Sequence, residues 1–559
     1  MTTPAPHWNP APRTREIALQ LTRWASVTTT ADEAGFTDRL LGLLRDIPYF
    51  RDNPDDIAVI DSHRVAGGTA MARSVVALVR GKGRRTLALA GHFDVVSIEN
   101  YGDLKHLAFA PEALTGALIA DLSQRDNLSE KEKSALDDLR SGDFIPGRGL
   151  LDMKSGDAAG IAFLEHFASQ PDRRGNVVLF LTPDEERNSC GMRSLRNALP
   201  GLMARWNLEI VGGINLDASS DQGDGTDGRV IYHGSVGKLL PFAFVAGQPT
   251  HAGYPFDGIS AHALAAEIMT AMEANTALCD RGRGEVAPPP VCLECRDVRD
   301  TYEVTTPEHV WMAFNWLMMG RSCADVMAEF RDIVTIAGER ALHRFGLHGR
   351  QQARANHLAD PAPLPNLRVL SIAELREIVV MTGGNAAIDR LADIEAAHAD
   401  NNNPLQRSRL LVQAMMAEAR LRGPAVVIGF GSLHYPAVHL DPDAPKDAHF
   451  LAAIDRARTI ITKRHDTTIC DRGYFMGISD MSFFGHAPNE AQTAIVAANT
   501  PVSELVDHPV ADALSWPVVN IGPWGREYHQ RHERLYAPYA FDVLPDFIAE
   551  IAGEILDRD

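Results

Sequence analysis

Three apolar runs each end in side chains that bind metals or protons, and this repeated design limits what the chain can fold into. Residues 87–90 lead through Gly91 to His92, Phe93 and Asp94. Residues 177–181 lead through Thr182 and Pro183 to Asp184, Glu185 and Glu186, and residues 210–216 end at Asp217. Short apolar runs of this kind suit strands buried on both faces. A helical periodicity over 155–168, with Ile161, Leu164 and Phe167 on one side, falls between the first two. Strands alternating with helices imply an α/β domain with a mostly parallel central sheet. In such open sheets ligands bind beyond the carboxyl ends of the strands, so the three clusters are expected to converge. His92 and Asp94 lie two apart and point the same way on an extended chain. One histidine among several carboxylates suits Zn²⁺, Co²⁺ or Mn²⁺ better than Mg²⁺ or Ca²⁺.

At 559 residues the chain exceeds one ordinary core. Helical spacing over 16–24 and 37–47, strand-like runs at 74–79 and 86–90, and a polar helical stretch at 104–142 belong to a first catalytic part, 1–234. The character changes near Gly234. A strand (238–246), a helix (259–274), two strands (291–295, 310–318) and a helix (322–342) predict an inserted α+β module over 235–440, with its helices on one side of the strands. Residues 349–422 read as a helical insertion within it, and 425–430 as a strand completing it. The second catalytic part, 441–559, holds a helix at 449–462, a strand at 518–521 and a helix ending near Leu556.

Fifty-four Lys and Arg stand against 73 Asp and Glu, a formal charge of -19. That sign argues against a nucleic-acid partner, which needs a basic face. The start, 1–15, carries no apolar run of the secretory kind, and no later stretch spans a bilayer. Six scattered cysteines do not form a secreted disulfide framework, so a cytoplasmic location without membrane attachment is expected. Cys292 and Cys295 lack a second pair at zinc-ribbon spacing and read as strand residues. Residues 221–228 read as a solvated loop, and 147–155 are not a phosphate loop, because Met153 stands where glycine should precede Lys154.

In order along the chain come Gly91-His92-Phe93-Asp94, then Gly147-Arg148-Gly149-Leu150-Leu151-Asp152-Met153-Lys154, then Asp184-Glu185-Glu186. This order resembles the di-zinc aminoacylase and carboxypeptidase family, which includes acetylornithine deacetylase, succinyl-diaminopimelate desuccinylase and glutamate carboxypeptidase. The segment from Gly522-Pro523 to His529 and Glu533 is similar to its C-terminal signature. Length and the extra insertion look most like the arginine-utilisation (RocB-type) branch. The resemblance implies a zinc-exopeptidase-like catalytic domain with an inserted lid or dimerisation domain, two Zn²⁺ per chain (Co²⁺ or Mn²⁺ as alternatives), and a small amide or peptide substrate. It implies that His92, Asp152 and Asp217 hold one metal and Glu186 and His529 the other, with Asp152 bridging. Glu185 would be the general base, and Asp94 would orient His92. His251, in Pro249-Thr250-His251-Ala252-Gly253-Tyr254-Pro255, is similar to the lid histidine that supports the oxyanion across a homodimer.

Two features depart from that pattern. Asn315 and Ser482 stand where many relatives carry arginines that bind a substrate carboxylate. The resemblance therefore does not carry a free substrate carboxylate over to this chain. Asn315, Ser479, Asp480 and Gly522 remain candidate substrate contacts. The reading is a two-metal amidohydrolase acting on a small N-acyl amino acid or short peptide. A dipeptidase or aminopeptidase on the same site is the alternative, and a non-catalytic metal-binding protein a third; Glu185 beside a full ligand set argues against the last.

Overall fold

The computed structural model describes residues 8–65, 67–299 and 301–557; positions 1–7 of the polar start lie outside the described residues. The chain packs into two compact units. Unit 1 comprises Met1–Ser235, Val438–Ala487 and Pro509–Asp559, and unit 2 comprises Val236–Ala437 and Pro488–His508. Residues 488–508, expected with the second catalytic part, thus pack in unit 2, where Val496 of the helix Glu490–Asn499 joins the core.

Unit 1 is built on an eight-stranded sheet. Its strands are β1 (Ile57–Arg64), β2 (Met71–Val79), β3 (Lys82–His92), β4 (Arg174–Thr182), β5 (Glu209–Asn215), β6 (Val230–Tyr232), β7 (Cys470–Arg472) and β8 (Val518–Asn520), in the order β1-β2-β4-β3-β5-β8-β6-β7. The four central strands, β4, β3, β5 and β8, run parallel, whereas β1 and β2 add antiparallel. Register aligns the central carboxyl ends: His92 lies opposite Thr182, Ala90 opposite Asn215, and Asn215 opposite Asn520. One face carries α1 (Ser155–Ser169), which packs with the helices Ala11–Arg23 and Leu544–Leu556 over Leu87, Leu89, Leu179 and Ile214. Fully burying one such aliphatic side chain contributes about 1.5–3 kcal/mol.

Several elements of unit 1 were not expected, among them the short strands β6 and β7. The two that bear on the site are edge strand β1 and α2 (Cys190–Trp206), which packs against β1 and β2. A second, four-stranded sheet orders Phe144–Pro146, Arg534–Tyr536, Trp524–Arg526 and Ser219–Ser220, and frames the 527–533 loop.

Unit 2 holds a six-stranded sheet in the order Gly237–Leu239, His309–Met318, Pro241–Ala246, Ala425–Phe430, Arg368–Ser371, with Val291–Asp297 also paired to His309–Met318. The expected strand 238–246 is divided in two at Leu240. The expectation of helices on one side of this sheet is wrong. Val310, Met312, Phe314 and Trp316 pack under the helices Ala261–Met272 and Cys323–Ala355. Trp311 and Ala313, pointing oppositely, pack with Phe242 and Phe244 under Ile372–Ala397 and Pro404–Glu418. The helical insertion therefore covers the second face, because alternate residues on these strands are apolar both ways. Among the described residues no helix is long and apolar enough to cross a membrane.

Candidate metal centre

The strand ends of unit 1 bring five of the expected ligand residues and Glu185 together. His92 closes β3, and its Nε2 lies 3.3 Å from Asp152 Oδ1, 3.7 Å from Glu185 Oε2 and 3.8 Å from Asp217 Oδ1. His529 Nε2 lies 3.0 Å from Asp152 Oδ2 and 3.1 Å from Glu186 Oε1. The two oxygens of Asp152 thus face two different imidazoles. Ligand-type atoms of His92, Asp152 and Glu186 fall within 4.8 Å of one another, as do those of His92, Glu185 and Asp217.

The electrostatics show what the cluster needs. Burial favours neutral Asp152, but His529 and His92 outweigh it and hold that carboxyl well below its usual range. Burial together with the neighbouring carboxylate of Asp152 pushes Glu186 up to about 7, and burial likewise raises Glu185 and Asp217. Burial works to lower His529, yet Asp152 and Glu186 push it up to about 11. The two imidazoles are shared among four buried carboxylates, and Glu185, Glu186 and Asp217 resist ionisation unless further positive charge reaches them. His92 Nε2 is buried without a hydrogen-bond partner and points among them. Two imidazoles and four carboxylates around such an atom fit divalent transition ions.

Residues around the cluster fix it. Asp94, fully buried, accepts from the Glu185 amide at Oδ1 (3.0 Å) and from the Glu186 amide at Oδ2 (3.2 Å). His92 Nδ1 lies 3.1 Å from the main-chain oxygen of Asp94 and 3.6 Å from its carboxylate. The Asp94 carboxylate therefore holds the glutamate pair, and its carbonyl holds the histidine. Asn520, at the end of β8, accepts from the Asp217 amide (3.1 Å) and donates to the Asp217 carbonyl (3.0 Å). The loop with His529 is tied down by Glu533, which accepts from the His529 amide (3.0 Å) and the Gly149 amide (3.0 Å) and pairs with buried Arg148.

The remaining candidates fall into different places. Ser479 Oγ accepts from Asn215 (3.0 Å), and Asp480, pushed up to about 7 by burial, accepts from Thr182 Oγ1 (2.9 Å). Both brace the strand ends. Gly522 is needed for close approach, since a Cβ there would stand 2.0 Å from the Asp217 carbonyl oxygen. His251 and Asn315 belong to unit 2. His251 is exposed on a turn, where its Nδ1 accepts from the Gly253 amide (3.0 Å), and Asn315 lies in His309–Met318 opposite Val291.

Residues 126–509 match the family model described as Peptidase family M20/M25/M40. The chain belongs to this family. It is accordingly a metal-dependent hydrolase of the peptidase class, acting on peptide or amide bonds. YqjN of Bacillus subtilis (strain 168) is 29% identical over 99% of this chain and 98% of its own length. RocB of the same organism is 27% identical, over 98% and 96%. A tripeptidase from Staphylococcus aureus subsp. aureus Mu50 shares the fold with a TM-score of 0.52 at 13% identity, covering 99% of this chain and all of that one.

In this peptidase the matched span contains Asp152, Glu185, Glu186 and Asp217, whereas His92 and His529 flank it. Sequence reasoning missed Asn520, and it quoted Arg148 and Glu533 without giving them a role. Asn520 ends a short strand, a faint signal that matched the other strand ends. Arg148 and Glu533 lie far apart in sequence, and no local pattern links them.

Proposed function

We propose that this peptidase is a two-metal hydrolase that cleaves an amide bond in a small N-acyl amino acid or short peptide. The observation that carries the reading is Asp152, whose two oxygens face His92 at 3.3 Å and His529 at 3.0 Å. His92, Asp152 and Asp217 would hold one divalent ion, and Asp152, Glu186 and His529 the other. Bound there, such ions supply Lewis acidity toward a carbonyl and acidify water toward neutral pH. Glu185 is the proton carrier. Its Oε2 lies 3.7 Å from His92 Nε2, where the carboxylate can take a proton from water and pass it to the leaving amine. Asp94 fixes the Glu185 and Glu186 amides and so keeps base and ligand in register.

Unit 2 supplies a second part of the reading: a homodimer in which His251 donates to the developing oxyanion. Strand Val291–Asp297 supports it, because among the described residues only His309–Met318 pairs with this strand, and Leu293 on it is 55% exposed. The test is a hydrolysis screen of N-acyl amino acids, simple amides and dipeptides on metal-reconstituted protein, with Glu185→Gln as background. Turnover of a dipeptide that needs its free amine would shift the assignment to a dipeptidase. No hydrolysis above the Glu185→Gln background in any class would sink the reading.

A further inference from the structure

A second group of metal-type side chains lies in unit 1 and shares no residue with the two-histidine centre. Ligand atoms of His63, Asp184 and Cys190 lie within 4.8 Å of one another. His63 stands on edge strand β1, Asp184 follows β4, and Cys190 begins α2. Glu33, from the helix Ala31–Asp46, adds a fourth donor with Oε2 3.7 Å from His63 Nε2. Asp184 Oδ1 lies 3.9 Å from the same nitrogen. Glu33 is fully buried and Asp184 is 1% exposed.

Two atoms face each other across this group without satisfying their polarity. His63 Nε2 and Asp184 Oδ1 are both buried and have no hydrogen-bond partner. A buried polar atom of this kind destabilises the fold if nothing fills the gap. The other polar atoms of these side chains are occupied, which aims the orphaned ones inward. His63 Nδ1 is 3.1 Å from the Ser62 hydroxyl, and an Nδ1–H donating there leaves the Nε2 lone pair directed at the carboxylates. Asp184 Oδ2 accepts from the Cys190 amide at 3.1 Å, leaving Oδ1 as the inward oxygen. Glu33 is oriented by the Thr29 amide at 2.6 Å and the Asp184 amide at 2.9 Å.

We propose that His63, Asp184, Cys190 and Glu33 form a separate mononuclear site for a borderline divalent ion of the Zn²⁺ class. One imidazole nitrogen, one thiolate and two carboxylate oxygens make a mixed N, S, O set that hard Mg²⁺ and Ca²⁺ do not favour. Four protein donors with no open position describe a structural site rather than a catalytic one. On binding, Cys190 gives its thiol proton to solvent, His63 coordinates as neutral imidazole, and no group changes oxidation state. The ion would tie the sheet edge, the helix Ala31–Asp46 and the start of α2 to the turn that carries Glu185 and Glu186. Without an ion, the same geometry would be an imidazolium of His63 paired with Glu33 and Asp184.

The experiment strips the full chain with chelator and reloads it with Co²⁺ alone, for wild type, Cys190→Ser and His63→Ala. Wild type should retain one more ion per chain than either variant. It should also show a thiolate-to-cobalt charge-transfer absorption that vanishes in Cys190→Ser and persists in a Cys292→Ser/Cys295→Ser chain. The two-histidine centre has no thiol, so the part of the absorption that is lost with Cys190 reports the new site. The difference of one ion carries the test, whether the main centre holds two ions or one. If Cys190→Ser or His63→Ala fails to fold, the wild-type and Cys292→Ser/Cys295→Ser spectra decide between the outcomes. Equal metal content in all folded chains, or no thiolate band in wild type, overturns the site in favour of the imidazolium pair.

Discussion

Arg148 and Glu533 form a buried ion pair that joins the segment leading to Asp152 to the loop that presents His529. The same Glu533 carboxylate accepts from the His529 amide, so the pair sets where that imidazole points.

Glu533→Gln should therefore weaken metal binding at the half-site of His529 and Glu186 by roughly 10–100-fold, the usual effect of losing a partner behind a ligand. Chelator competition on the purified variant measures this. An unchanged affinity would mean that the loop is held by other contacts.

Asp152→Ala should remove both ions of the two-histidine centre together, because each imidazole faces one of its oxygens. Glu185→Gln should keep them and lose at least about 10²-fold in turnover. Elemental analysis with steady-state rates separates the two. A near-normal rate for Glu185→Gln would remove it from the role of base.

Asp280 gives a pH-dependent prediction for unit 2. Burial favours its neutral form, but amides of Met319, Gly320, Arg321 and Arg281 at 2.7, 2.9, 3.1 and 2.8 Å outweigh it and hold the carboxyl below its ordinary value of 3.8. A depressed acid stabilises the fold above its unfolded pKa and loses that stabilisation as pH falls through the folded one. Asp280→Asn should cost about 1.5–3 kcal/mol at neutral pH, the range for hydrogen bonds to a charge. Denaturant titrations should show wild type and variant converging as the pH drops below 3.8. A gap that stays constant to acid pH would show that charge plays no part.

His251→Ala should preserve folding and metal content while lowering turnover by about 10²–10³-fold, the usual effect of losing one oxyanion donor. Mixing His251→Ala with Glu185→Gln subunits should then restore activity in some heterodimers. Demonstrated subunit exchange without recovery would confine His251 to its own chain or remove it from the reaction.

What the sequence made legible follows from burial. β3, β4 and β5 are covered on both faces, so their apolar runs are continuous and the polar residues at their ends stand out. Edge strand β1 is only half covered, and its mixture of Ile57, Asp61 and His63 hides any strand pattern. His63 was overlooked for that reason. Helix α2 contains Pro200 and three arginines, which obscure its apolar face of Met192, Leu195, Leu199 and Leu202. The helices of the insertion were readable, but their periodicity shows only that one side is apolar. Which face of the sheet they cover is decided by Phe242, Phe244 and Trp311 on strands far away in sequence.

One carboxylate, Asp94, grips two successive amides, those of Glu185 and Glu186. Mechanically this makes a rocker with a single pivot. If Glu186 holds a metal as proposed, a cation of larger radius that shifts it outward would swing Glu185 by the same hinge. Under the proposed roles, exchanging one transition ion for another would change the aim of Glu185, and catalytic rate should vary with ionic radius more steeply than metal affinity.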